Sequence, residues 1–165
     1  ESSGMVSIIG LDDDSIKKVC EESGTSVANY LFPQARVLSG NKMEIQKAIQ
    51  VANSMKAKRA MELNVSGGFH SKYMKPAEGE LVAAIDATEW SAPKCNVYSN
   101  LDTFVYANEE NIKNNLKQHL TSGVQWEGTF KGLSSDCLYE LGPGNQLKSM
   151  MRTINIDLWK AMKKV

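Results

Sequence analysis

The alternation of short apolar runs with helically spaced stripes between residues 5 and 65 constrains this chain more than any other feature. Residues 5–11, Met-Val-Ser-Ile-Ile-Gly-Leu, are short, apolar and rich in β-branched side chains, as a buried strand is. Asp12-Asp13-Asp14 then supplies helix caps. Ile16, Val19 and Cys20 fall on one helical face, Lys17, Lys18, Glu21 and Glu22 face away, and Gly24 ends the segment. Two extended pieces, 27–31 and 36–39, are separated by Pro33, which forbids a helix there. After Gly40-Asn41, a second stripe runs through Ile45, Ala48, Ile49, Ala52 and Met55, and residues 59–65 return to strand-like alternation. The predicted order is βαββαβ.

That order is the ferredoxin-like split βαβ unit, in which two helices cover one face of an antiparallel sheet. It assigns residues 1–66 to a small α+β lobe. Ser66-Gly67-Gly68-Phe69-His70-Ser71 is a flexible turn feeding a long predicted helix with the face Met74, Ala77, Leu81, Ala84, Ile85 and Thr88. Pro93 breaks the chain, 96–99 is a predicted short strand, and 108–120 a polar helix. Gly123-Val124-Gln125-Trp126 leads into another helix ending near Leu133. Residues 137–141 read as a strand, Gly142-Pro143-Gly144 as a tight turn, and 145–152 as a helix carrying Leu147, Met150 and Met151. Strand followed by helix recurs, so residues 67–165 read as part of an α/β layer.

At 165 residues the chain can bury roughly two thirds of its unfolded surface, without staples. Its 19 Lys and Arg balance 19 Asp and Glu, so no global field draws it to nucleic acid or an anionic membrane. Cys20, Cys95 and Cys137 are odd in number and far apart, which argues against a disulfide framework or a zinc site and for a reducing compartment. No apolar run approaches the roughly 20 residues of a membrane helix, and the expectation is a soluble protein. Glu1-Ser2-Ser3-Gly4 has neither the basic region nor the apolar core of a signal peptide. With no starting methionine and an apolar strand almost at once, the sequence reads as a fragment or a processed product.

Two histidines are the general-base candidates near neutral pH. His119 sits among Asn114, Asn115, Lys117 and Gln118 and reads as an exposed helix residue. His70 follows two glycines at a strand-to-helix transition, where outward amides and the positive helix end favour a neutral imidazole, the form a base needs. On that local context a structural role for His70 stands equally open. Gly142-Pro143-Gly144 before a helix could cradle a phosphate, but it lacks P-loop chemistry, and a turn needing positive φ at glycine is preferred. Trp90, Trp126 and Trp159 are scattered and read as core or boundary residues. Lys56, Lys58, Arg59, Lys72 and Lys75 cluster in sequence at the lobe junction, either as a solvated face or as a docking patch for an acidic partner. A nucleophile is missing: no serine stands in a G-x-S-x-G elbow, and no cysteine has a histidine near it in sequence.

Three separated segments occur in a telling order: residues 4–11, Gly-Met-Val-Ser-Ile-Ile-Gly-Leu; residues 65–71, Val-Ser-Gly-Gly-Phe-His-Ser, with Met74-Lys75-Pro76; and residues 139–144, Tyr-Glu-Leu-Gly-Pro-Gly. Val97-Tyr98-Ser99-Asn100 and Val124-Gln125-Trp126 lie between them. Together they resemble the malonyl-CoA:acyl-carrier-protein transacylases of type II fatty acid synthesis, relatives of polyketide-synthase acyltransferase domains, over nearly the whole chain. The resemblance implies a ferredoxin-like subdomain followed by the C-terminal part of a hydrolase-like α/β acyltransferase body. In that family a serine in a G-H-S-x-G elbow is acylated by malonyl-CoA and passes malonyl to the phosphopantetheine thiol of acyl carrier protein, with no cofactor or metal. His70 aligns with the general base and Gln125 with the position whose backbone carbonyl orients it. Phe69 resembles the malonyl-selecting pattern, and Gly68 and Asn100 are implied substrate contacts. The elbow, the oxyanion-hole glutamine and the carboxylate-binding arginine precede the first residue of this chain in the family order. The family's P-G-Q-V-V-I-S-G loop is here Pro33-Gln34-Ala35-Arg36-Val37-Leu38-Ser39-Gly40, a departure. The complete enzyme is expected to be monomeric and to reside in cytoplasm, or in a plastid or mitochondrion of a eukaryote.

Two other readings remain. The chain could be a carrier-protein-binding or regulatory module that has lost catalysis. It could also be a small-molecule-binding ferredoxin-like domain with an unrelated extension, which requires the Gly-Phe-His match to be chance.

Overall fold

The computed structural model describes residues 2–164 and has a mixed α/β fold. Its first part comprises β1 (Ser3–Ile9), α1 (Asp13–Ser23), β2 (Ser26–Phe32), β3 (Ala35–Asn41), α2 (Lys42–Ser54) and β4 (Arg59–Leu63). The strands lie in the order β2-β3-β1-β4, each antiparallel to its neighbours, which is the split βαβ arrangement. Local chemistry sets the helix starts. Asp12 accepts a hydrogen bond from the Ser15 amide at 2.8 Å, and Asn41 with Glu44 forms a reciprocal capping box on α2.

Strand alternation gives the sheet two different faces. Val6, Ile8 and Leu38 point toward the helices and pack with Ile16, Val19, Ile45, Ala48, Val51 and Ala52, all buried. Met5, Ala28 and Val37 form a second cluster with Leu31, Leu63 and Phe69. By the same period of two, Ser3 and Ser39 share the face of Met5 and Val37, the face toward the rest of the chain.

Beyond β4 a short 3-10 turn (Lys72–Met74) runs into α3 (Lys75–Ala87), followed by α4 (Glu109–His119), α5 (Trp126–Gly132), β5 (Leu138–Glu140), α6 (Gln146–Ile154), α7 (Ile156–Ala161) and β6 (Met162–Lys164). β5 and β6 pair in parallel, and Met151, Leu158 and Met162 form the buried cluster of this part. Two expectations are corrected. Residues 96–99 make no strand, because Tyr98 finds one antiparallel bridge to Val105 and no further neighbour. Of the stripe expected on α3 only Ile85 is buried, while Ala77, Ala84 and Thr88 are exposed. α7 and β6 are additions that the turn and periodicity signals leave unassigned. Among the described residues no helix is long and apolar enough to cross a membrane, and all three cysteines are free thiols.

Two of the contacts that bind the parts together involve α5 and the residues just before it. Val124 bridges to the free edge of β2, exchanging backbone hydrogen bonds with Ala28 and Tyr30 at 2.8 and 2.9 Å. A side chain at the preceding Gly123 would place its Cβ 2.8 Å from the Val27 carbonyl oxygen, so only glycine permits this approach. The second contact is ionic. Arg36, 4% exposed, pairs with Asp13 of α1 at 2.9 Å and Glu127 of α5 at 2.7 Å, and its guanidinium lies 5.0 Å from the Tyr30 ring centre. The departure from the family loop pattern is thus the hub that joins α1, β3 and α5.

Candidate active site

The segment that carries His70 is pinned on both sides by serines. Ser3 of β1 accepts from the Gly68 amide at 2.9 Å, Ser39 of β3 donates to the Phe69 carbonyl at 2.6 Å, and Ser71 donates to the Gly68 carbonyl while capping the 3-10 turn. Tyr73 donates to Glu44 of α2 at 2.6 Å. Between these anchors His70 adopts φ 57°, a left-handed conformation uncommon outside glycine. Such a conformation persists where its surroundings over-determine it, and it clusters at functional sites. The two inward serines of the small lobe therefore aim this histidine.

His70 Nδ1 lies 2.9 Å from the backbone carbonyl of His119 at the end of α4. A carbonyl only accepts, so Nδ1 carries the proton and Nε2 presents its lone pair, the form required of a base. This corrects the expectation placed on Gln125. The Gln125 carbonyl accepts from Thr129 in the first turn of α5 at 3.1 Å, and its amide donates to Asn100. His119 is corrected as well. It is half-buried, its ring centre is 5.0 Å from that of His70, and its Nε2 is buried without a hydrogen-bond partner. Burial, reinforced by the neighbouring His70, pushes the His119 imidazole below the ordinary histidine range, so it is held neutral. Both rings line an apolar cavity of about 260 Å³ with Leu81, Ile85, Leu116 and Leu120.

The other expected site residues divide. Gly68 and Phe69 flank His70, the Phe69 ring packing with Met5, Leu31 and Val37 on the sheet. Asn100 is exposed, and its carbonyl accepts from the Gln125 amide at 2.7 Å. The adjacent Ser99 hydroxyl accepts from Asn115, one turn before His119 on α4, at 2.8 Å. The loop is thereby tied to the helix that carries the orienting carbonyl. The five basic residues do not form one patch. Lys72 and Lys75 lie beside His70, where they pair with Glu44 and Glu78. Lys56, Lys58 and Arg59 lie at the other end of the sheet, since Arg59 is opposite Ile9 whereas Gly68 is held by Ser3. Six residues of β1 separate these ends, about 20 Å.

The turn after β5 is also decided. Gly142 and Gly144 have φ 121° and 94°, and the amides of Leu147 and Lys148 at the start of α6 are taken by the Glu140 carboxylate at 2.9 and 3.1 Å. A carboxylate of the chain fills the place a phosphate would need. Among the described residues, no hydroxyl or thiol hydrogen-bonds to His70, and burial pushes the Cys20 thiol up, away from the thiolate. No three His, Cys, Asp or Glu side chains among them gather as metal ligands.

No protein-family model matches the chain. It is 32% identical over 178 residues to the mitochondrial malonyl-CoA-acyl carrier protein transacylase of Homo sapiens, a match covering 96% of this chain and 46% of that protein. The crystal structure of the acyl-carrier-protein S-malonyltransferase of Burkholderia pseudomallei superposes with a TM-score of 0.94 at 32% identity, over 99% of this chain and 55% of that one. A malonyl-transacylase in complex with its type II polyketide-synthase acyl-carrier protein gives 0.90 at 29% identity, over 99% and 54%. The chain spans about half the length of the relatives it matches. By sequence and by structure, it is a homologue of the malonyl-CoA:acyl-carrier-protein transacylases over that half.

Proposed function

We propose that this chain supplies the histidine half of a malonyl-CoA:acyl-carrier-protein transacylase, with the nucleophilic serine contributed by a second half on the same or another polypeptide. The observation that carries the reading is His70, with Nδ1 tied to a carbonyl and Nε2 left to accept a proton. In the first half-reaction the serine hydroxyl gives its proton to Nε2 as its oxygen bonds to the malonyl carbonyl carbon. The C–S bond then breaks, and the coenzyme A thiolate leaves with the proton from His70. In the second, the phosphopantetheine thiol gives its proton to Nε2, sulfur attacks the malonyl ester, and the serine oxygen departs and recovers the proton. A neutral carbonyl orients the imidazole without adding charge, so the base works by position and tautomer.

Phe69 and Gly68 form the wall beside the base in this proposal, and malonyl is the acyl group. Asn100 contributes through the loop it anchors. Acyl carrier protein is the partner, as in the complex of the related transacylase. Lys72 and Lys75, beside His70, are its docking residues in preference to the distant Lys56, Lys58 and Arg59. The lobe boundary at 66/67 falls immediately before the loop that delivers His70.

The test is to supply the unmatched half of a related transacylase, fused or as a separate chain, and measure malonyl transfer from malonyl-CoA to carrier protein. Activity is expected, and His70→Ala is expected to remove about three to four orders of magnitude of it. Full activity in that variant would sink the assignment. A non-catalytic carrier-binding module predicts binding of carrier protein and no transfer in any combination.

A further inference from the structure

His119 meets His70 twice, and a carbonyl alone would fix the tautomer. Any residue at position 119 supplies that carbonyl. The His119 ring adds something a different side chain would not: it lies 5.0 Å from the His70 ring, tilted by 39°, with Nε2 buried and unpartnered.

We propose that the His119 imidazole is a positioning residue of the same site, one that packs on the His70 ring and leaves Nε2 of His70 as the proton acceptor of the pair. The inference rests on His70 being the base. It follows from what surrounds the pair. The cavity wall is Leu81 and Ile85 from α3 and Leu116 and Leu120 from the end of α4, none of which titrates. Where the same helices meet, Asp86 and Lys117 are paired with each other at 2.6 Å. Asp102, on the loop packed against α4, accepts from Asn115 at 3.0 Å. Lys72 and Lys75, which follow His70, are paired with Glu44 and Glu78. Among the described residues no carboxylate hydrogen-bonds to either ring, and the charge that acts on His119 is that of His70.

Two imidazolium rings at this separation repel, and the apolar wall offers the second proton no counter-charge. The transferred proton therefore has one place on the pair, Nε2 of His70, the ring nitrogen that the carbonyl contact leaves free. The tilted ring packed on His70 also blocks its rotation away from the carbonyl, and holding geometry is worth up to about 100-fold in rate.

Because the chain contains two histidines, its imidazole NMR spectrum separates them. The His119 signal is expected to titrate below the ordinary histidine range and to move up toward it in His70→Gln. In the enzyme completed with the serine half, His119→Gln keeps the carbonyl and loses the ring, and is expected to lower kcat/KM about tenfold with KM little changed. His119→Phe keeps a ring that cannot titrate. It is expected to recover most of the rate, because the ring still packs on His70. A His119 titration indifferent to His70→Gln would overturn the inference, as would an unaltered rate in His119→Gln. Failure of the underlying reading looks different: His70→Ala would stay active while the NMR coupling persisted.

Discussion

Residues 3–63 gather ten buried apolar side chains in one cluster between the sheet and two helices, whereas the cluster formed by the longer stretch from residue 67 onward holds Met151, Leu158 and Met162, and Phe104 and Leu141 there are 73% and 76% exposed. In the first region every strand has the neighbours that its topology calls for. In the second, β5 pairs with β6 alone among the described residues, and α3 shows half of its expected stripe to solvent. The contrast teaches where the site gets its rigidity. His70 belongs to the sparsely packed region, yet its loop is fixed by Ser3 and Ser39 of the densely packed one. The small lobe is the scaffold, and the rest of the chain is held against it by Arg36 and the Gly123-Val124 edge contact.

Cutting that link should separate the two regions, and it carries the largest expected effect on stability. Among the described residues, Arg36→Met leaves Glu127, 5% exposed, with Lys131 as its one remaining ionic partner. Breaking a buried pair from one side costs about 3–5 kcal/mol. All three tryptophans, Trp90, Trp126 and Trp159, lie after residue 67, so fluorescence follows that region alone, while far-UV circular dichroism follows both. The variant is expected to lose its fluorescence signal at a lower urea concentration than its ellipticity. Coincident transitions would mean that the regions are coupled by something other than this ionic hub.

Truncations in the two cores sharpen the same contrast with a somewhat smaller effect. Ile45→Ala, at a fully buried position between α2 and the sheet, should cost about 3 kcal/mol and shift both signals together, since the dependent region cannot outlast its scaffold. Met151→Ala removes a comparable side chain from the other cluster and should shift fluorescence while most of the ellipticity stays in place. If Met151→Ala shifted both signals equally, the two regions would be one cooperative unit.

The same contrast explains what could be read from the sequence. In the lobe, each element's pattern matches its surroundings: the Ile45, Ala48 and Ala52 stripe meets the sheet, and the alternation of residues 5–9 sorts Val6 and Ile8 from Met5. Past residue 67 local patterns have fewer partners to confirm them. Residues 96–99 look like a strand but find a single bridge. His119 looks exposed because its sequence neighbours are polar, yet Ile112, Leu116 and His119 recur at i, i+4 and i+7, a spacing that places the ring on the packed side of α4. The Val-Gln-Trp motif points to Gln125, while the carbonyl at His70 comes six residues earlier, a contact that depends on how α4 ends. Arg36 carried a sequence signal as well, being a charge inside the otherwise apolar run 35–38 of β3. Such a residue requires a buried partner, but Glu127 lies too far along the chain for spacing to identify it.

The smallest expected effect tests the exposed side of the comparison. Leu141 follows β5, beside the turn at Gly142, and is 76% exposed, so Leu141→Ser removes little area that folding of this chain had taken from water. Substitutions at such surface positions stay within about 0.5 kcal/mol, and both urea transitions should coincide with those of the unaltered chain. The same change should matter once the second half is supplied, if that half lies against this edge of the sheet. Transfer activity at limiting amounts of the second half would then fall, whereas saturating amounts would restore it. A loss of more than about 1 kcal/mol in the chain alone would mean that Leu141 is already covered in solution, which would remove the contrast between a self-sufficient lobe and an open body at the point where it is most visible.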